Sequence, residues 1–248
     1  MDWAYLYDGS WEGLLCAVFE AFASKRWPRV VLPGDNAQLA FSDQPVHIVT
    51  DPVKAERVER GIVRRMGSPA HNTLWTVFLS GDPDKSTLIY RYIRTGMNKG
   101  RGVYQALAHD DINAVDRICY HVSHEAHLLH GFTRFSLMEN GVYYARITPK
   151  NSVLPLLMPF FADRYTDQPL LVYDASHDLA GVYDLHEWYL VETHGLRLPG
   201  LAEEETACRR LWKLFYNTIA IAQRENPKCR RTNMSKRYWG NMTELNSL

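Results

Sequence analysis

The stretch FTRFSLMENGVYYARI, residues 132–147, sets the tightest limit on the fold. Two runs of aromatic and β-branched residues flank Asn140-Gly141, the dipeptide that best tolerates the positive φ angles of a type I′ turn. A β-hairpin is therefore expected here. A helical pattern follows at about 153–165, and then come three more β-rich runs, LLVYD, AGVYD and EWYLVE. The order strand, strand, helix, then three strands describes a compact α+β unit: a small antiparallel sheet with one crossing helix.

The chain before this unit reads as mainly helical. WAYLYD is a short strand, and WEGLLCAVFEAFAS carries Leu14, Leu15, Val18, Phe19 and Phe22 at helical spacing, with Ser10 as its N-cap. Residues 25–45 are rich in Pro, Gly, Asn and Asp and read as a connector with a strand at QLAF; VHIVT is a further strand. Asp51-Pro52 opens a helix that should run to Met66 and stop at Gly67, followed by helices near 69–79, 84–95 and 110–130. At the other end, EEETACRRLWKLFYNTIAIAQRE has acids in its first turn and an apolar stripe through Leu211, Leu214, Phe215 and Ile219, with Asn226-Pro227 as its stop. The expected class is α+β: a predominantly helical part over 1–131, then an α+β unit over 132–248 with a long C-terminal helix and a basic tail. The two parts can also form one integrated domain.

Composition narrows the functional classes. Twenty-eight basic residues balance twenty-eight acidic ones, so no global field draws the chain to nucleic acid or anionic lipid, and such binding needs a local patch. Cys16, Cys119, Cys208 and Cys229 are too dispersed for a zinc pair or an iron–sulfur cluster. No apolar run is long enough to span a bilayer, and MDWAYLYDGS lacks the charged and apolar regions of a signal peptide. The reading is a reduced cytoplasmic protein with no membrane contact.

HVSHEAHLLH, residues 121–130, places a histidine at every third position. Each helical residue advances about 100°, so successive histidines are offset by roughly 60° and spiral away from one face. One metal cannot collect all four, and the residue four after His124 is Leu128, which breaks the H-E-x-x-H register. The apolar positions Ile112, Val115, Cys119, Val122, Ala126 and Leu129 define the buried face. They leave His124 in solvent, His121 and His127 on the flanks, and His130 at the border. Glu125 lies beside that stripe and is expected to pair with an arginine such as Arg134, or to act as a catalytic carboxylate.

Lys228, Arg230, Arg231, Lys236 and Arg237 fall within ten residues of the tail and are followed by Tyr238 and Trp239. Cations at this spacing neutralise phosphates and aromatic faces stack on bases; equally, a Tyr-Trp pair can fold back over apolar surface. Asp163, Asp167, Asp174, Asp178 and Asp184 punctuate the α+β unit. Asp174 ends a strand, where a scaffold can hold a metal ligand or general base, although Asp also caps turns. MNKGRG at 97–102 reads as a phosphate-contacting loop or a plain connector, and the P-loop, dinucleotide and nucleophile-elbow signatures are absent from the sequence.

YLYDGSWEGLLCAVFEAF, GFTRFSLMENGVYYARITPKN, YTDQPLLVYD and NPKCRRTNMSKRYWGNMTE together resemble a bacterial family of DNA-metabolism or DNA-repair proteins of unassigned activity. The positions that carry the resemblance are Tyr7, Asp8, Gly9, Glu12, Arg134, Phe135, Asp174, Tyr238, Trp239 and Glu244; Ser235 stands where the family tends to have proline. The family is accompanied by a radical SAM protein and a uracil-DNA-glycosylase-like domain. The resemblance therefore implies an accessory role, with DNA and these two proteins as partners and no cofactor or metal of its own. The alternative is a metal-dependent nucleic-acid-processing enzyme using Asp174 and Glu125 with Arg134 or Arg164. A third reading is a protein-binding scaffold for the radical SAM partner.

Overall fold

A computed structural model describes residues 2–34, 39–40, 43–105, 109–193, 195 and 199–245. They form two compact units, Met1–Val122 and Ser123–Leu248.

In the first unit, β1 (Asp2–Tyr7) is the middle strand of an all-parallel sheet, flanked by β2 (Val30–Pro33) and β3 (Asp43–His47). Parallel neighbours need a crossover, and α1 (Trp11–Ser24) supplies it between β1 and β2. Ser10 caps α1 as expected, its hydroxyl accepting from the Gly13 amide at 2.9 Å. A Cβ at Gly13 would stand 2.2 Å from Asp8 Oδ1, so the glycine lets this carboxylate close against the first turn. The helices α2 (Pro52–Met66), α3 (Ser68–Phe78), α4 (Lys85–Lys99) and α5 (Asp110–Phe132) follow. Asp51 caps α2 through the Val53 amide, and α2 ends at Gly67 as its sequence requires. Tyr5, Leu14, Leu15, Ile62, Met66, Leu74, Ile89 and Ile93 form the core. Sequence patterning does not reveal β2, a four-residue strand inside the Pro- and Gly-rich connector. Half of QLAF lies outside the described residues, and Leu39 and Ala40 within it are not in a strand.

The second unit is built on a five-stranded sheet whose spatial order follows the chain: β4 (Ser136–Leu137), β5 (Tyr143–Ile147), β6 (Leu170–Asp174), β7 (Leu179–Tyr183) and β8 (Trp188–Glu192). The class is α+β, as expected. The sheet is mixed rather than purely antiparallel. The crossing helix α6 (Leu154–Arg164) returns the chain to the start of the next strand, so β5 and β6 run parallel and the remaining pairs antiparallel. The Asn140-Gly141 hairpin forms, but with a three-residue loop. Met138 N donates to Val142 O, Gly141 N donates to Met138 O, and only Gly141 takes a positive φ, of 82°. A type I′ turn needs positive φ at both central residues, whereas this loop is a tight turn closed by one left-handed glycine.

The last long helix stops short. α7 spans Glu203–Ile219, and Ala220 turns extended instead of continuing to Asn226-Pro227. Thr218, Ile219 and Ile221 are β-branched and weaken helix continuation at that point. A single 3₁₀ turn, α8 (Pro227–Asn233) and α9 (Lys236–Trp239) complete the tail. The apolar stripe of α7 faces outward: Leu211, Leu214, Phe215 and Ile219 are 53–65% exposed.

α6 lies on β7 at Gly181, where a Cβ would meet Met158 Sδ at 2.4 Å and Cγ at 2.6 Å. Gly181→Val should therefore overpack this contact and lower stability by about 1–3 kcal/mol, read as a reduced urea midpoint at unchanged m-value.

Candidate functional site

α5 carries Glu125 into the interior of the second unit, where it is 4% exposed. Its carboxylate accepts from the Lys150 amide at 2.9 Å, the Asn151 amide at 3.0 Å and Asn151 Nδ2 at 2.6 Å. Tyr238 donates its hydroxyl at 2.9 Å and Arg237 closes an ion pair through Nη2. Five donors thus surround one buried charge, which is what such burial demands. Thr148 Oγ1 donates to Arg237 O at 3.1 Å and ties the same knot to the end of β5. The expected partner of Glu125 was Arg134; the structure assigns Arg237. A second ion pair holds the turn that follows α9.

Arg134 Nη2 donates to Glu244 Oε1 at 2.7 Å and Nε donates to Oε2 at 3.3 Å, while Trp212 Nε1 reaches Oε2 at 3.1 Å. The Arg134 guanidinium lies 5.8 Å from the Trp212 ring centre. Burial raises the Glu244 pKa, but the hydrogen bonds from Arg134, its own backbone and Trp212 outweigh it and hold the group below the usual carboxylate range. On α7, Glu205 accepts from Arg209 Nε at 2.8 Å and from the Leu137 amide at 3.0 Å, and Arg209 Nη2 donates to Ser136 at 2.6 Å.

Between the Arg134 and Arg209 ion pairs opens a cavity of about 560 Å³. Phe135, Tyr143, Tyr165 and Trp212 supply aromatic walls, Arg134 and Arg209 supply cations, and Gln168 and Cys208 stand among them. Phe135 and Tyr165 meet edge to face with centroids 5.3 Å apart. The sequence singled out Arg134 and Phe135 and missed Tyr143, Tyr165, Gln168, Arg209 and Trp212, since the lining is drawn from the chain between α5 and β4, from β5, from the chain after α6, and from α7. The only local signal was a tryptophan on the flank of the α7 stripe.

The tail residues divide. Tyr238 is 2% exposed, with its ring 5.8 Å from Phe132, so it offers no face to a base; Arg237 is committed to Glu125. Trp239 is half-buried and donates to Met234 O at 3.1 Å. Lys228, Arg231 and Lys236 are exposed, and Arg230 is half-buried.

Asp174 is fully buried and serves the β6–β7 turn, accepting from the Ser176 amide at 2.9 Å and pairing with His177 Nδ1 at 2.7 Å. Asp184 likewise accepts from the His186 and Glu187 amides. Asp174, Glu125 and Arg134 thus have separate partners and do not form one constellation. In the first unit, Asp8 accepts from the Ser10 hydroxyl at 2.6 Å and the Thr50 hydroxyl at 2.7 Å, and the Ser10 bond is the main cause of its lowered pKa. The histidine ladder spirals as its spacing dictates: His121, His124 and His127 are exposed, and His130 stacks on Phe160 at 4.1 Å. Burial lowers the His130 pKa. Among the described residues, no three His, Cys, Asp or Glu side chains are grouped to hold a metal.

Residues 83–244 match the family described as a domain of unknown function, DUF4130, and the chain belongs to that family. The matched span holds the Glu125 knot, both ion pairs and the aromatic cavity, and it closes on Glu244 itself. No curated protein matches the chain.

Burial is the leading cause that pushes the Tyr238 hydroxyl up to about 12. An unfolded tyrosine ionises near 10, so the stability from burying this neutral phenol is complete below about pH 10 and is lost between about 10 and 12. Tyr238→Phe should flatten that alkaline loss in urea titrations run across the same pH range. Glu125→Ala leaves the Arg237 charge without its partner and should cost about 3 kcal/mol, with faster tryptic cutting at Arg230, Arg231 and Lys236.

Proposed function

We propose that this chain is an accessory protein of DNA metabolism that binds single-stranded or locally unpaired nucleic acid through its second unit. The aromatic–arginine cavity carries the reading. Its volume of about 560 Å³ lies within the range of ligand pockets, and its four aromatic side chains can stack on an unstacked base beside the Arg134 and Arg209 guanidiniums, each of them already paired with a glutamate. Exposed Lys228, Arg231 and Lys236 add the local positive charge that a chain of zero net charge otherwise lacks.

Chemistry on the DNA belongs, in this reading, to partners of the kind the resemblance implies, a radical SAM protein and a uracil-DNA-glycosylase-like protein. The carboxylates named for a metal-dependent reaction give that alternative no support. Asp174 is occupied by a turn, and Glu125 by five donors that anchor the tail.

Two variants separate the contributions. Replacing Lys228, Arg231 and Lys236 together by alanine should weaken single-strand binding and reduce the slope of log K against log salt by about 0.7 for each phosphate that is no longer neutralised. Tyr165→Ala should cost about 1–3 kcal/mol of binding and leave that slope unchanged. Affinities of both variants equal to wild type across a salt series would remove the second unit from nucleic-acid recognition.

A further inference from the structure

The two edges of the five-stranded sheet are treated differently. At one edge, β4 is two residues long; Glu205 accepts from its Leu137 amide, and the neighbouring Met138 bridges to Leu201. At the other edge, β8 pairs with β7, and among the described residues no strand pairs with its outer side. Its sequence, WYLVE, contains none of the proline, lysine or glycine that usually blunts an open edge. Tyr189, Leu190 and Val191 are 37–44% exposed.

The hydrogen bonds of the β7–β8 pair fix which backbone groups face outward. Thr193 N donates to Asp178 O at 2.8 Å and Asp184 N to Glu187 O at 3.2 Å, so the pairs in phase with these are the hydrogen-bonded ones. With Ala180 opposite Val191 and Val182 opposite Tyr189, the amides and carbonyls of Tyr189 and Val191 turn toward β7. Those of Trp188, Leu190 and Glu192 therefore point away from the sheet, as a row of three donors and acceptors with no backbone partner among the described residues.

That row is complementary to itself. In an antiparallel pairing about a twofold axis at Leu190, Leu190 faces Leu190 and Trp188 faces Glu192, giving roughly six backbone hydrogen bonds. The one charged residue of the strand, Glu192, then lies opposite an indole. A parallel pairing would set Glu192 beside Glu192, and like charges side by side oppose it. The zero net charge of the chain adds no long-range repulsion between copies.

We propose that β8 is a self-association edge, through which two copies pair antiparallel into one ten-stranded sheet. One strand pair with its flanking side chains is a small interface, below about 1,200 Å², and a dissociation constant in the micromolar range is expected. The inference is independent of nucleic-acid binding.

Sedimentation velocity and light scattering of the full chain, from low to several hundred micromolar, test it. Wild type should shift from monomer to twice the monomer mass. Leu190→Lys places two ammonium groups across the axis, and Leu190→Pro removes an outward amide that β7 does not use. Both should remain monomeric throughout, with a far-ultraviolet circular dichroism spectrum like that of wild type. If the proline variant fails to fold, the lysine variant decides alone. Leu214→Glu, on the outward face of α7, should dimerise like wild type. A wild type that stays monomeric throughout, or a dimer that survives Leu190→Lys, overturns the proposal, as does one that Leu214→Glu abolishes.

Discussion

A single buried carboxylate organises the second unit. Glu125 cannot be withdrawn from water without replacing its hydration, and it does so with five donors from two distant segments of chain: the loop after β5 and the start of α9. Each donor depends on the others, because removing any one exposes an interior charge to an apolar surround. The consequence is geometric. The tail is pinned through Arg237 and Tyr238 of α9, although α8 contributes no buried residue.

The same requirement governs the cavity. Arg134 and Glu244 join the hand-over from α5 into β4 to the last described turn of the chain, and Trp212 is held to the same carboxylate. Arg209 and Glu205 fasten α7 to β4. Tyr143 and Trp212 stand on β5 and α7, and Phe135 directly follows the ion-paired Arg134, so charge-assisted hydrogen bonds help hold the surface in shape before a ligand arrives. The outward apolar faces of α7 and β8 lie beyond that network.

Local rules were reliable where the interaction is local. Ser10 and Asp51 cap the helices they were expected to cap, and the three-residue spacing of the histidines alone predicted that they would not converge. Gly181 and the β-branched residues near Ile219 show the limit. Sequence gives no hint that Met158 needs the first, and a strong helical pattern conceals the break at the second. For the site, Glu125, Arg134 and Asp174 were all legible as unusual charged positions. The partners Arg237 and Glu244 were not, because they are chosen by packing; His177 is a local partner, three residues after Asp174 in the β6–β7 turn.

By itself, the amino-acid order determined the α+β class and most element positions. These follow from periodicity, capping and turn chemistry, which act over a few residues. Tertiary structure alone decided that Tyr238 and Arg237 are structural while Lys228, Arg231 and Lys236 stay exposed. It also assembled four separated aromatics into one cavity and, among the described residues, left the outer side of β8 without a pairing strand. Pairings across 110 or more residues, such as Arg134 with Glu244 and Glu125 with Arg237, have no local signature; they are fixed by which buried charges must be neutralised once the sheet has formed.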